Sequence, residues 1–208
     1  ARVLVHSTAL DASELPASIY DLTDPMWAGR VGWAPTNGSF QAFVTAMRVQ
    51  DGDDATRAWL EGMIANGTVT YGNNRAQVEA VDAGEIEIGL VNHYYLHPYL
   101  AERGDSFGAR NYHFPAGDIG SLLTVAGGGV LNTAKNPAAA EALLAFLLSA
   151  EGQQYFADAT YEYPVVDGIA IAESVTPIDE IEAPDVDIND LTELESTLDL
   201  LREVGAIE

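Results

Sequence analysis

Cysteine is absent from the 208 residues, which excludes disulfides, thiolate metal centres and cysteine nucleophiles together. Basic residues are scarce: 9 Lys+Arg stand against 32 Asp+Glu, a formal net charge of −23, and Lys135 is the only lysine. A field this negative excludes a general nucleic-acid or anionic-membrane binder, because both partners need basic patches to meet phosphate. No apolar run reaches the ~18 residues of a membrane span. The opening Ala1-Arg2-Val3 carries no signal-peptide pattern, which leaves the compartment open. Walker A, GxGxxG, GxSxG and HExxH motifs are all missing, so a nucleotide-dependent enzyme or a hydrolase has no residue set to stand on. With 48% hydrophobic residues the chain nevertheless has the means to build a core. The acidic excess reads either as a hydrated surface suited to salt and solubility or as a field drawing cations to a site.

The pattern along the chain alternates strand and helix. Residues 2–7 (RVLVHS) and 30–35 (RVGWAP) read as strands. Phe40, Phe43, Val44 and Met47 recur at helical spacing after Thr36, Asn37 and Ser39, all three plausible caps. A second helix starts at Asp53 or Asp54, with Trp59, Leu60, Met63 and Ile64 on its stripe. Strand 68–71, helix 74–82 and strand 85–91 follow, then a short helix ending at Gly104. Residues 121–126 (SLLTVA) predict a further strand, interrupted by Gly127–Gly129. Residues 136–149 give the clearest helix, with Pro137 in its first turn, and 151–159 and 191–204 give two more. Units of this length predict an α/β layer on a mainly parallel sheet.

Chemistry concentrates in two places. Pro35-Thr36-Asn37-Gly38-Ser39 joins a strand to a helix, where free backbone N–H groups would suit an oxyanion; ordinary capping accounts for the same residues. Asn92-His93-Tyr94-Tyr95 follows a buried strand, at the strand carboxyl end where open α/β sheets gather ligands. Adjacent phenols there either pack or, as phenolates, offer hard oxygen ligands to a trivalent iron. His93 and His97 are spaced i, i+4, which would suit a metal or simple packing.

Taken in order, GRVGWAPTNGSFQAFVTAMR, YGNNRAQVEAVDAGEIEIGLVNHYYL, NYHFPAGDIGSLLTVAGGGVL and AAEALLAFLLSAEGQQYFADATYEYPV resemble the ferric-iron-binding periplasmic proteins of ABC importers over nearly the whole chain. The resemblance implies a type II periplasmic-binding-protein-like α/β fold with a mainly parallel central sheet. It implies Fe3+ ligation by Tyr94 and Tyr95, with phosphate or carbonate as synergistic anion at Asn37, Gly38, Ser39, Asn74 and Asn92. It also implies an exported protein, periplasmic or anchored at the cell surface, that delivers iron to a membrane permease. Family members carry a further N-terminal stretch that forms most of the first lobe and supplies more iron ligands. Nothing in residues 1–24 matches it, so His6 is given no such role. The chain thus reads as the C-terminal two-thirds of a two-lobed clamp: 28–123 a complete second lobe, 1–27 and 124–208 the hinge and first-lobe remnant, whose exposed helix could pair two copies. Other readings are a binding protein for another small solute, an oxyanion or organic cation, and a truncated domain that no longer binds.

Overall fold

The computed structural model describes residues 1–208, which divide into two units, Ala1–Thr124 with Ile181–Glu208, and Val125–Glu180. The first is built on a five-stranded sheet: β1 (Arg2–Ser7), β2 (Val31–Trp33), β3 (Val69–Thr70), β4 (Ile88–Asn92) and β5 (Ala109–Tyr112), in the order β3-β2-β4-β1-β5. β2 runs parallel to β3 and β4, while β1 is antiparallel to both β4 and β5. Four strands therefore point one way, as the pattern predicted, with β1 reversed between β4 and β5.

Both faces are covered. Leu4, Val31, Trp33, Ile88 and Leu90 pack beneath α1 (Gly38–Asp51) and α2 (Asp53–Ala65). Val3, Val5 and Val91 turn to the other face, against Val78 and Val81 of α3 (Asn74–Ala83) and Leu96, which precedes α4 (His97–Arg103). The alternation of Val3, Leu4 and Val5 between two cores is the period of two that RVLVHS displays. An aromatic group locks α1 to the sheet: Trp33–Phe40 and Phe43–Trp59 meet edge to face at 5.6 and 5.8 Å, each worth about 0.5–1.5 kcal/mol beyond its burial. Near the C-terminus α7 (Leu194–Glu203) returns to α1, where Thr45 and Thr197 share a buried hydroxyl contact of 2.8 Å.

One local expectation needs correction, and one strand was not foreseen. Residues 121–126 form no strand: Ile119–Ser121 is a 3-10 turn, and Leu122 contributes one carbonyl, to the Arg2 N–H at 2.8 Å. A single bond without neighbours makes no ladder, and the following glycines lose too much freedom when extended. Conversely, β5 forms from Ala-Arg-Asn-Tyr, a stretch without clear alternation, because β1 offers it a free edge.

The second unit holds α5 (Pro137–Leu147) and α6 (Ala150–Tyr155), the latter running into a π turn at Phe156–Thr160. Asn136 caps α5 through the Ala139 N–H, as its sequence predicts, yet α5 has no buried residue, and Leu143 and Phe146 are about half exposed. No helix of the chain is long and apolar enough to cross a membrane.

Candidate ligand-binding site

The carboxyl ends of β2 and β4, neighbours in the sheet, bring together the two stretches that stood out chemically. After β2 the chain turns at Asn37, whose extended backbone (φ −78°, ψ 130°) makes it the cap of α1. Its Oδ1 accepts twice, from the Ser39 N–H at 3.0 Å and the Ser39 hydroxyl at 2.6 Å. The Asn37 carbonyl takes the next two amides, Phe40 and Gln41. Capping is therefore real, but it does not use Gly38, whose N–H has no partner within the chain and whose Cα faces open space. Asn37 thus caps the helix, and Gly38 stands exposed beside it.

After β4 the chain enters a 3-10 turn, His93–Tyr95, then α4. Tyr94 and Tyr95 are half-buried, their rings tilted against each other with centroids 4.6 Å apart. Tyr95 leans on the α3–α4 core, and Tyr94 lies edge-on to His93 at 5.3 Å. The Tyr94 hydroxyl accepts from the Asn92 amide at 2.9 Å. His93 and His97 do not share a helix face; their rings meet edge to face, 6.2 Å apart, both buried. Burial, then the neighbouring His113, pushes His97 down to about 4. No group of three or more His, Asp or Glu side chains is placed to hold a metal ion.

One residue that carries no motif of its own sits between the two stretches. Arg2 pairs with Asn92 across β1 and β4, and its side chain lies on the α1 face, only 2% exposed. Its Nη1 donates to Asn92 Oδ1 at 3.3 Å and reaches Ser39 Oγ at 3.4 Å. Its guanidinium stacks within 6 Å of the Phe40 and Phe43 ring centres. A continuous chain of contacts thus runs Asn37, Ser39, Arg2, Asn92, Tyr94. The only signal in the sequence was an arginine set just before the apolar run Val3-Leu4-Val5.

Asn74 comes from the first turn of α3 and is 1% exposed. Its Oδ1 accepts weakly from Gln77 at 3.4 Å, and Gln77 in turn clasps the Leu90 backbone, two residues before Asn92. The Asn74 Nδ2 donor has no partner at all. A buried N–H left unpaired costs about 1–3 kcal/mol, so its presence marks a place where an acceptor belongs.

Comparisons with known proteins identify the family. A family model described as bacterial extracellular solute-binding protein matches residues 1–188. The major ferric iron-binding protein of Neisseria meningitidis serogroup A is 33% identical across 98% of this chain. The Fe(3+)-binding periplasmic protein of Serratia marcescens is 33% identical across 99%. Iron-bound HitA from Pseudomonas aeruginosa superposes with a TM-score of 0.92 at 36% identity over 98% of this chain. The chain spans 62% and 61% of the two relatives and 66% of the HitA chain. Its fold is that of the type II periplasmic binding proteins. With nine-tenths of its length matched by one family model, the chain belongs to the bacterial extracellular solute-binding proteins.

Proposed function

We infer that this chain is the solute-binding component of an ABC importer for ferric iron, with Tyr94 and Tyr95 as phenolate ligands. A small oxyanion, phosphate or carbonate, shares the metal and rests on Asn37, Gly38, Ser39, Asn74 and Asn92. The observation that carries this reading is the contact chain joining the anion loop to the Tyr94 hydroxyl. Phenolate oxygens are hard donors matched to Fe3+, and an amide N–H aimed at the phenol oxygen favours its charged form. Names of relatives that bind ferric iron support the choice of metal.

Binding is the role by kinship with the solute-binding relatives, and the tyrosines, amides and buried guanidinium of the site suit it. The unit formed by residues 1–124 and 181–208, not 28–123 alone, carries these ligands, since β1 lies inside its sheet, and the protein acts outside the cytoplasmic membrane, periplasmic or surface-anchored. Closure of a second lobe over the ion stabilises the loaded state, because ligands from both sides then meet one charge. The loaded protein delivers iron to a membrane permease.

A second reading, an oxyanion taken without metal, is favoured by the unpartnered Asn74 donor and the open Gly38 amide. Metal analysis separates the two. Protein purified without chelators, then dialysed against ferric nitrilotriacetate and phosphate, should retain iron and phosphorus together. Phosphorus without iron would favour the second reading.

A further inference from the structure

We propose that Arg2 is the positioning residue of this site, supplying the buried positive charge that selects a small oxyanion and setting the direction of every hydrogen bond that links the anion loop to Tyr94. The proposal rests on the ferric-iron reading above.

The first ground is the charge itself. Arg2 forms no ion pair with any Asp or Glu in a chain that carries 32 of them. Its polar side-chain partners are the neutral Ser39 and Asn92, and its guanidinium lies over the rings of Phe40 and Phe43. Burial pushes its guanidinium down to about 10, which still leaves it charged at neutral pH. A buried charge without a countercharge is strongly unfavourable, and ring faces and amide dipoles offset only part of that cost. The balance is met when an anion arrives. Tyr94 and Tyr95 both act on its charge, and the same Nη1 that meets Asn92 reaches the Asn37–Ser39 loop through Ser39.

The second ground is polarity. A guanidinium can only donate. Asn92 must therefore present Oδ1 to Arg2, which turns its Nδ2–H toward the Tyr94 oxygen. In the same way Ser39 must offer a lone pair to Arg2, which sends its own O–H to Asn37 Oδ1. Without Arg2 the Asn92 amide is free to flip, and a flipped amide aims an oxygen, not a donor, at Tyr94. The register Arg2↔Asn92 builds this in: the antiparallel pairing of β1 with β4 places the guanidinium opposite the last residue before the tyrosine turn.

The test uses the full chain and its Arg2→Gln and Arg2→Lys variants, titrated with ferric nitrilotriacetate with and without inorganic phosphate and followed by the visible tyrosinate-to-iron band. Arg2→Gln should lose at least about tenfold of the phosphate enhancement, the scale of a charged hydrogen bond, and shift the band. Arg2→Lys, which keeps the charge but not the fork, should retain a phosphate response at intermediate strength. If Arg2→Gln folds poorly, Asn92→Asp reads the same idea from the other side. It gives Arg2 the carboxylate it lacks, so the ligand-free chain should melt higher and phosphate enhancement should disappear. A wild-type phosphate response and band in Arg2→Gln, or an Asn92→Asp chain that melts lower and still needs phosphate, would overturn the proposal. Loss of the band in Tyr94→Phe alongside an unaltered Arg2→Gln leaves the iron reading standing and removes only the role of Arg2.

Discussion

Replacing Asn74 by alanine offers an unusual test, because a buried polar residue is expected to be dispensable for stability. Removing a buried, bonded amide ordinarily costs stability. Here Nδ2 has no partner, and the Oδ1 bond from Gln77 is long at 3.4 Å. Deleting the orphan returns a desolvation penalty of about 1–3 kcal/mol, while the weak bond and the lost packing take back a similar amount. Helix α3 keeps its cap, since Asn73 accepts from the Ala76 N–H at 2.9 Å. Gln77 keeps both bonds to Leu90, at 3.3 and 2.9 Å. The net change should lie within about 1 kcal/mol of zero, a shift of roughly 4 °C or less in Tm for a chain this size. Ligand-free calorimetry measures that shift, with Gln77→Ala as the contrast: it strands the Leu90 backbone in the core and should cost about 2–4 kcal/mol. In the presence of ferric nitrilotriacetate, Asn74→Ala should weaken the phosphate response about tenfold. A ligand-free Tm lowered as far as in Gln77→Ala, with an intact phosphate response, would refute the reasoning and make Asn74 a structural residue.

Three further outcomes are expected. Gly38→Ala should melt like the parent, since a Cβ there meets nothing within 4 Å, yet bind phosphate less well because the methyl stands where the anion approaches; an unchanged phosphate response would remove Gly38 from the site. Gly120→Ala should lose about 1–3 kcal/mol in urea unfolding, because its Cβ would fall 2.5 Å from the Phe114 ring and 2.9 Å from Asp118; a neutral result would mean that Phe114 has room to move. Acid should destabilise the fold through His97, whose folded value near 4 lies below the ordinary 6.5 by burial, then by His113. The unfolded chain takes up its proton first, so stability present above pH 6.5 is lost as pH falls toward 4, at up to about 1.4 kcal/mol per unit. Urea midpoints at pH 7 and 5 should show this slope, and His97→Gln should reduce it, leaving the share of His113, which burial also pushes down to about 4; a midpoint that rises toward pH 5 contradicts it.

Helices were legible where a cap and a 3.6 period coincide. Asn37 before Phe40 and Phe43, and Asn136 before Pro137, each predicted a start that the fold honours within two residues. Strands were legible where alternation faces two cores, as in β1. What the sequence hid depends on pairing across the chain. β5 exists because β1 offers it an edge, and 121–126 fails as a strand because it finds one bond and no partner strand. The tyrosine pair and the Asn37–Ser39 loop were visible as local motifs. Arg2 was not, since only the register with Asn92, 90 residues away, brings a strand-opening arginine between the loop and Tyr94. The unpaired Asn74 donor is likewise a fact of packing, invisible to residue type.

The central claim is that Tyr94 and Tyr95 bind ferric iron, and the visible spectrum tests it most directly. Titration of the 208-residue chain with ferric nitrilotriacetate and phosphate should raise a broad phenolate-to-iron charge-transfer band. Tyr94→Phe and Tyr95→Phe should each weaken and shift that band, and the double variant should abolish it. A band of wild-type strength and position in the double variant, at matched iron content, would contradict the account.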